Sequence, residues 1–299
     1  MLNSIERFSD QNPDEHLIAT LNSMPIADRP GTVALDVADI AQSLALAWDG
    51  ECAVETVAVT GSTNQDLAAR ARVRQPSERL LRAADFQTGG RGRQKRPWHA
   101  APGAALLFSV AIPVVTRAES LPAITLACGV ALAECLAEHG VVVQLKWPND
   151  VRVDGCKLAG ILTELVADRD ALNTLVIGVG INLHLDDAAR SAIEQPAIAL
   201  DQLLGAVALP SRGQWIGRFA GAIIAAAARF MNEGFDPFCT RFNRLLEWRG
   251  EVVDILYEKP LVQAAISGRV IEVDRHGRLV IDAEGRRHTV SVGDVSVRR

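Results

Sequence analysis

The pattern of apolar residues changes near Gly250, and this change constrains the fold more than any other feature of the chain. Between about residues 53 and 235, strand-like segments alternate with helix-like segments, which predicts an α/β or α+β domain with a substantial sheet. After Gly250 the helical periodicity ends, and short strand patterns separated by glycine turns predict a small SH3-like or OB-like barrel. We therefore expect a larger central domain followed by a small β domain.

The periodicities also place individual elements along the chain. The central helix patterns cover residues 62–74, 120–139 and 215–231. The central strand patterns cover 54–59, 106–112, 141–146 and 174–182, with 151–153 and 157–165 as a hairpin across Asp154-Gly155. The final strands are expected at 251–256, 264–273, 278–282, 286–292 and 294–297, with turns at His276-Gly277 and Glu284-Gly285.

Composition places the chain among ordinary globular proteins. Hydrophobic residues make up 48% of the 299 residues and charged residues 22%, which excludes wholesale disorder. The net charge of −5 argues against a protein that coats nucleic acid or an anionic membrane through bulk charge. No apolar run reaches the roughly 18 residues that a membrane-spanning helix needs, and the charged first residues do not fit a signal peptide. We expect a soluble, cytoplasmic protein with no membrane partner.

Neither the cysteines nor the histidines indicate a metal site. The five cysteines include no C-x-x-C pair, and the six histidines show no metal-ligand spacing. Cys128 and Cys135 lie seven residues apart, a spacing that places both on one buried face of a helix. We therefore expect these two cysteines to pack in the core.

The first 52 residues form an acidic arm with nine acidic residues against two basic ones, a net charge of −7. Helix patterns at 14–24 and 35–48 are separated by Pro25, Pro30 and Gly31, so we expect two helices in this arm. A DNA-binding module needs cations for phosphate contacts, and this arm does not supply them.

The sharpest local signal is the glycine- and arginine-rich segment 87–98. Its glycines allow the backbone to approach a ligand closely, and Arg91, Arg93, Lys95 and Arg96 place four positive charges beside them. Backbone amides and guanidinium groups suit a phosphate or a carboxylate, because both present paired oxygens. A basic surface loop, or a patch that touches nucleic acid, is the alternative for this segment taken alone.

Two further segments place polar side chains near strand ends. Residues 146–150 (KWPND) directly follow a predicted strand, a common location for ligand sites, although their proline and asparagine also suit an ordinary turn. In the next segment, alternation places Lys157 on the face of Ala159 and Ile161, where a lysine either extends to solvent or pairs with an anion. Gly160 allows close approach of a ligand or marks a bulge.

The remaining segments have simpler interpretations. Ser62 followed by Gln65 is typical of a helix capping box, and the amides at such a helix start also suit ligand binding. The GVGIN sequence at 178–182 lacks the third glycine and the following helix of a dinucleotide fingerprint. The functional signal is cationic and glycine-rich with one acid, Asp150, which favours stabilisation of a developing phosphate charge over acid–base hydrolysis.

Taken in order, these segments resemble the biotin protein ligases. The matching pieces are Ser62-Thr63-Asn64, Gln87, Gly90-Arg91-Gly92-Arg93 with Trp98, Lys146–Asp150, Lys157–Gly160 and Gly178–Asn182. The resemblance covers about residues 54–299 and implies an α+β fold, with a mixed sheet and helices in a class II synthetase-like catalytic domain and a C-terminal SH3-like barrel. It divides the chain into an acidic helical extension (1–52), a catalytic domain (53–249) and the barrel (250–299).

The resemblance also implies the activity. The family activates biotin with ATP and Mg²⁺ to biotinyl-5′-AMP, and then acylates one lysine of a biotin carboxyl carrier protein, as in acetyl-CoA carboxylase. The implied biotin-binding residues are Ser62, Thr63, Asn64, Gln87, Gly90, Arg91, Gly92, Arg93, Lys157 and Gly160. The implied ATP-binding residues are Arg91, Arg93, Arg96, Trp98, Lys146, Asn149, Lys157 and Asn182.

Four residues are implied in catalysis by the same resemblance. Arg91 and Arg93 would close over the adenylate and its phosphate. Lys157 would hold the biotin carboxylate near the α-phosphate and neutralise charge during in-line attack. Asp150 would orient or deprotonate the incoming carrier lysine. No residue is assigned to a metal.

The chain departs from the family pattern in two places. The family's basic loop continues with a further glycine where this chain has Lys95, so the loop is expected to be stiffer or to bind phosphate differently. Repressor members carry an N-terminal winged helix-turn-helix, which the acidic arm does not match, so we expect a monofunctional ligase. Members often pair through a sheet edge of the central domain, which makes a homodimer one option.

Three rival functions fit parts of the pattern. A lipoate ligase or octanoyl transferase shares the fold, but the GRGR loop together with KWPND favours biotin. A biotin-operon repressor would need the basic N-terminal module. A nucleic-acid-binding protein would bind in a salt-sensitive manner without ATP, and the negative net charge disfavours it.

Because the arm is acidic, we expect no electrophoretic mobility shift of a DNA fragment that carries a carboxylase or biotin-operon promoter, with biotin and ATP present. A fragment of unrelated sequence is the control. A shift that is specific for the promoter and requires both ligands would restore the repressor hypothesis.

Overall fold

The structure, a computed structural model, describes residues 34–114, 123–170, 172–185, 190, 193, 195–205, 210–257, 266–291 and 295–298. The central strands are β1 (Cys52–Thr60), β2 (Arg79–Gln87), β3 (Ala105–Val114), β4 (Gln144–Lys146), β5 (Asp150–Val153), β6 (Cys156–Ala167) and β7 (Asn173–Asn182). They form one sheet in the order β1-β2-β3-β7-β6-β5-β4. The β1–β2 pair is parallel and the other five pairs are antiparallel, which confirms the predicted mixed sheet.

Helices cover the two faces of this sheet unequally. The helices are α1 (Val37–Ala47), α2 (Thr63–Val73), α3 (Ile124–Ala137), α4 (Leu200–Leu204), α5 (Arg212–Glu233) and α6 (Asp236–Leu245). Helices α3, α5 and α6 bury one face in the main core, together with sheet residues such as Phe108 and Ile177. On the opposite face, Leu67 of α2 packs against Ala111 and Val176. None of the described helices is long and apolar enough to cross a membrane.

The rest of that opposite face carries small residues. Strand β7 places Gly178 beside Ser109 of β3, and Gly180 beside Gly160 of β6. Because side chains alternate along a strand, these residues share the face that α2 covers further along. The uncovered half of the sheet therefore has room above it for a ligand.

Helix α1 lies unusually close to α5. Ile40 and Leu44 of α1 are buried there, and α5 presents Gly213, Gly217 and Gly221 to them. A Cβ atom on Gly217 would come 2.5 Å from the backbone oxygen of Ile40. This helix confirms the one predicted at 35–48, whereas the helix predicted at 14–24 lies outside the described residues.

A second, antiparallel sheet follows at the C-terminus. Its strands are β8 (Val252–Tyr257), β9 (Ile266–Val273), β10 (Leu279–Ala283), β11 (Arg286–Val290) and β12 (Val295–Arg298), in the order β11-β10-β9-β8-β12. Several side chains of the central unit bind this second unit, among them those of Asn243 and Trp147. The Asn243 amide exchanges two hydrogen bonds of 2.7 Å with the backbone of Val273, and Trp147 Nε1 donates to the Gly277 carbonyl at 3.1 Å. The small β domain is confirmed, and the boundaries proposed at 52/53 and 249/250 stay predictions.

Strand β2 and the helices α4 and α6 were not predicted from the sequence, α4 because it has only five residues. Charged residues interrupt the apolar pattern of β2, but Arg82 Nε pairs with Asp66 at 2.7 Å and Asp85 also has an arginine partner. Helix α6 is short and directly follows α5, so its phenylalanines, Phe238 and Phe242, do not establish a periodic stripe of their own. Strand β2 and helix α6 depend on contacts with distant segments, which the periodicity of the sequence does not reveal.

The α1–α5 contact can be tested at Gly217. A methyl group there would meet backbone atoms of α1, which cannot rotate away, so we expect Gly217→Ala to lower the free energy of unfolding by about 1–3 kcal/mol. Gly129→Ala in α3 is the matched control. A Cβ on Gly129 would lie 3.5 Å from Leu145, an ordinary van der Waals distance. Because alanine has the higher helix propensity, we expect this change to leave the free energy of unfolding unchanged or to raise it by up to about 1 kcal/mol. Equal unfolding curves for both variants would contradict the close contact.

Candidate functional site

A cleft of about 630 Å³ opens above the uncovered half of the sheet. This volume suits an organic ligand with a nucleotide-sized portion. The cleft walls come from the start of α2, the segment 91–99, the KWPND turn and the strands β3, β6 and β7. Ile193, Gln195, Ala197 and the end of β12 complete its rim.

One end of the cleft is a neutral hydrogen-bonded network. The backbone N–H and Oγ1 of Thr63 donate to Gln87 Oε1 at 2.7 and 3.0 Å. Thr63 Oγ1 also lies 2.7 Å from Ser109 Oγ, and Ser109 Oγ donates to Asn64 Oδ1 at 2.7 Å. Asn64 Nδ2 donates to Glu164 Oε2 at 2.8 Å. This end offers both donors and acceptors to a polar, uncharged ligand group.

Helix α2 begins inside this network because Ser62 caps it. Ser62 Oγ accepts a hydrogen bond from the N–H of Gln65, which confirms the predicted N-cap. Asn64, in the first turn of this helix, packs against Gly178 so closely that a Cβ on the glycine would collide with the amide. Only glycine at 178 therefore leaves space for the Asn64 side chain.

The basic loop folds back on itself over the cleft. The N–H of Trp98 donates to the Gly90 carbonyl and the N–H of Gly92 donates to the Arg96 carbonyl, both at 2.8 Å. Lys95 has a φ of +58°, in the left-handed region that favours glycine. The position where the family has a further glycine thus has a backbone conformation that favours glycine. A lysine in this conformation carries a strain of about 1 kcal/mol.

Trp98 packs on the two glycines of the sheet. A Cβ on Gly180 would lie 2.7 Å from the indole Cε2, and one on Gly160 would lie 3.3 Å from Cζ3. The Lys157 ammonium lies 5.5 Å from the centre of the indole ring. Trp98 Nε1 is buried without a partner among the described residues, so it has a donor available for a ligand.

A β-bulge at Leu158 places Lys157 on the open face. The pairing register of β6 with β5 shifts by one residue between Ala159 and Lys157. The predicted alternation, with Lys157 on the face of Ala159 and Ile161, is therefore wrong. The ammonium instead lies beside Gly160, where a Cβ would come within 3.3 Å of Lys157 Nζ. An extra residue in a strand reverses the side of every residue beyond it.

Two ammonium groups and one carboxylate form the floor of the cleft. Lys157 Nζ pairs with Asp150 Oδ1 at 2.7 Å, and both side chains are largely buried. Burial lowers the pKa of Lys146, while the charge of Asp150 opposes this shift. Two lysines face a single carboxylate here, so an anionic ligand group would be favoured, and its charge would add to that of Asp150 in opposing the lowered pKa of Lys146. Of the two alternatives for Lys157, pairing with an anion is the one observed.

A buried ion pair lies beside this floor, because Arg152 is the strand partner of Lys157. Arg152 Nη1 lies 3.2 Å from Glu247 Oε1, and the N–H of Glu247 donates to the Leu145 carbonyl at 3.1 Å. Burial raises the pKa of Glu247, and Arg152 opposes that shift. The Trp248 ring lies 4.8 Å from Lys146 Nζ. These contacts hold the strand that carries Lys146 and the KWPND turn.

The two asparagines of the cleft bind the backbone. Asn149 Nδ2 donates to the Ile161 carbonyl at 3.1 Å. Asn182 Nδ2 donates to the carbonyls of Lys157 and Ile198 at 3.2 and 3.1 Å, and its side chain is buried. Both residues line the cleft, but their donors hold protein segments in place. Asn182 in particular fixes the strand position from which Lys157 extends.

The cleft brings together nearly all of the residues that the sequence analysis selected. The residues that line it are Ser62, Thr63, Asn64, Gln87, Arg91, Gly92, Arg93, Arg96, Trp98, Lys146, Asn149, Asp150, Lys157, Gly160 and Asn182. Gly90 is buried behind this surface, against Gln87 and Trp98. Sequence reasoning missed Ser109, Glu164 and Arg298. A serine within the apolar run of β3 was the available signal for Ser109, whereas Glu164 and Arg298 gave none.

Comparisons with known proteins agree on one family. The model of the Biotin/lipoate A/B protein ligase family matches residues 56–182. The biotin–[acetyl-CoA-carboxylase] ligase of Mycobacterium tuberculosis is 34% identical over 87% of this chain and 95% of its own length. The bifunctional ligase/repressor BirA of Escherichia coli is 30% identical over 82% of this chain and 74% of its own. The biotin protein ligase of Aquifex aeolicus, solved with biotin and ATP, has a TM-score of 0.69 at 25% identity, covering 83% of this chain and 99% of that one.

The role of Asn182 as a backbone clamp is testable. Asn182→Ala removes the amide that bridges the carbonyls of Lys157 and Ile198, while the N–H of Ile198 still donates to the Lys157 carbonyl at 3.0 Å. We expect a loss of about 1–3 kcal/mol in the free energy of unfolding. Asn182→Asp places a carboxylate against the same oxygens, and we expect a larger loss of about 2–4 kcal/mol. Asn173→Asp, at the half-buried start of the same strand, is the control for urea unfolding. An Asn182→Asp protein as stable as this control would rule out the clamp.

Proposed function

The chain belongs to the biotin protein ligase family, and we propose that its single cleft carries out both half-reactions of such a ligase. In the first, biotin and ATP form biotinyl-5′-AMP and pyrophosphate. In the second, the biotinyl group passes to a lysine of a carrier protein and AMP leaves. The observation that carries this proposal is the position of Lys157, which lies in the same cleft as the neutral network around Thr63 and the arginine loop.

The neutral end suits the biotin head group. A ureido group has one carbonyl acceptor and two N–H donors, so it needs partners of both kinds. Ser62, Thr63, Asn64 and Gln87 supply hydroxyl and amide groups at this end. Lipoate has a ring without N–H groups, and octanoate has no ring. The polar network therefore favours biotin over both rival substrates.

Lys157 is the proposed centre of the adenylation step. One carboxylate oxygen of biotin attacks the α-phosphorus, an O–P bond forms, and the bond from that phosphorus to the bridging oxygen of pyrophosphate breaks. An ammonium between the two anions reduces their mutual repulsion and stabilises the charge that develops on the phosphoryl oxygens. The 2.7 Å pair with Asp150 holds the lysine in place before substrates bind.

Asp150 is proposed to act in the second half-reaction. The carrier lysine attacks the carbonyl carbon of the mixed anhydride, its C–N bond forms as the C–O bond to AMP breaks, and the amine must lose a proton. The Asp150 carboxylate is the one acidic side chain among the described residues that line the cleft, so it can orient that amine and accept its proton. The loop that carries Arg91 and Arg93 would cover the anhydride and limit its hydrolysis.

The nucleotide is proposed to lie along the basic loop, Trp98 and Lys146. Arg96 and Lys146 add positive charge there, and Trp98 offers an aromatic surface and an unpartnered N–H. Within the described ranges, no group of three His, Cys, Asp or Glu side chains could hold a metal ion. Mg²⁺ commonly binds through substrate phosphates and water, so we expect it to enter with ATP.

The proposed partner is the biotin carboxyl carrier protein of acetyl-CoA carboxylase, in line with the name of the Mycobacterium tuberculosis relative. A cytoplasmic location and a homodimer stay predictions, as does the absence of operator binding. The acidic arm supports a monofunctional ligase over a repressor.

Exchange of labelled pyrophosphate into ATP tests the proposal directly. We expect exchange with biotin and none above background with lipoate or octanoate, because only biotin satisfies the polar end of the cleft. Exchange with lipoate would overturn the substrate, and no exchange with any acid would overturn the adenylation step. Transfer is then measured with a carrier domain and with the same domain lacking its acceptor lysine.

Lys157→Ala tests the central residue. Loss of the ammonium removes charge stabilisation from the adenylation step, so we expect the exchange rate with biotin to fall about 100-fold or more. Arg72→Ala, an exposed cation near the end of α2, is the matched control and should leave exchange unchanged. Normal exchange by a folded Lys157→Ala protein would remove Lys157 from the mechanism.

A further inference from the structure

We propose that Glu164 determines which hydrogen-bonding groups the head-group end presents to its ligand, because it fixes the orientation of the Asn64 amide. This inference rests on the proposed function and deepens it. Glu164 is absent from the residues that line the cleft, so it is a positioning residue that acts through Asn64.

The geometry around Asn64 allows one amide orientation. Its Nδ2 donates to Glu164 Oε2 at 2.8 Å and lies 3.5 Å from the Leu162 carbonyl, while its Oδ1 accepts from Ser109 Oγ at 2.7 Å. An ionised carboxylate and a carbonyl only accept hydrogen bonds. A flipped amide would turn its oxygen toward these acceptors, and three oxygens would then face each other without a hydrogen.

The amide orientation sets the direction of the neighbouring hydrogen bonds. Ser109 has a single hydroxyl hydrogen, and the Asn64 oxygen takes it. The 2.7 Å contact between Ser109 and Thr63 must then use the hydrogen of Thr63. Thr63 shares that hydrogen with Gln87 Oε1, which also accepts the backbone N–H of Thr63. The direction of the two bonds made by the Ser109 hydroxyl thus follows from the carboxylate behind Asn64.

The consequence is a site rich in acceptors. With the Asn64 nitrogen turned toward Glu164, the cleft side carries the Asn64 oxygen and the lone pairs of Ser109 and Thr63. Acceptors of this kind suit the ring N–H groups of a ureido head group. A dithiolane ring donates nothing to them, so binding it would leave buried oxygens unsatisfied. The carboxylate of Glu164 thereby contributes, from outside the cleft, to the selection of biotin over lipoate.

Substitutions that exchange the amide of Asn64 and the carboxylate of Glu164 test the inference. Glu164→Gln lets the Asn64 amide flip, and Asn64→Asp sets two carboxylates against each other. We expect each single variant to raise the KM for biotin in the exchange assay about tenfold, with kcat within about twofold of wild type. In the double variant, Asn64→Asp with Glu164→Gln, the new amide can donate to the new carboxylate. We expect its KM to return to within about threefold of wild type.

Recovery in the double variant supports the inference, and additive losses overturn it. An unchanged KM in Glu164→Gln alone overturns it as well. Glu138→Gln, at the exposed end of α3, is the charge-matched control, and thermal unfolding of each variant separates loss of fold from loss of binding. If Glu164→Gln does not fold, the comparison of Asn64→Asp with the double variant still decides. Absence of exchange by the wild-type protein would defeat the proposed function instead.

Discussion

The cleft exists because three glycines on two neighbouring strands leave the middle of one sheet face without side chains. Asn64 packs on Gly178, and the indole of Trp98 packs on Gly160 and Gly180. Side chains brought from a helix and a loop thus occupy space that the sheet itself leaves empty. The sheet supplies a rigid floor, and residues distant in sequence meet above it at fixed distances. Every proposed contact with biotin or ATP depends on this arrangement.

Two different electrostatic environments lie within this one cleft. The end near Thr63 is neutral, and its atoms satisfy one another through short hydrogen bonds. At the floor, Lys157 and Lys146 face the single carboxylate of Asp150. A substrate with a neutral ring and an anionic tail matches this division. Burial strengthens the contrast, because charges in a partly dry cleft interact more strongly than charges in water.

Much of this organisation is predictable from local sequence patterns, and the exceptions have physical causes. All central strands except β2, the hairpin at Asp154-Gly155 and the cationic segments follow from periodicity and turn residues. The face of Lys157 was predicted wrongly, because a single bulge reverses the alternation and lies at Leu158, two residues before the glycine that could have marked it. The contact of Glu164 could not be predicted from local patterns either, since its partner Asn64 is 100 residues away in the chain. Contacts between distant segments decide such details.

The hydrogen bond from Trp147 to Gly277 has a consequence for how the two sheets depend on each other. Trp147 belongs to the same turn as Asn149 and Asp150, so the C-terminal sheet holds one side of the segment that carries the proposed base. A shortened chain ending before Glu251 would leave the buried indole N–H without its acceptor. In the proposed mechanism, the small β domain therefore helps to hold the turn that places the Asp150 carboxylate beside Lys157.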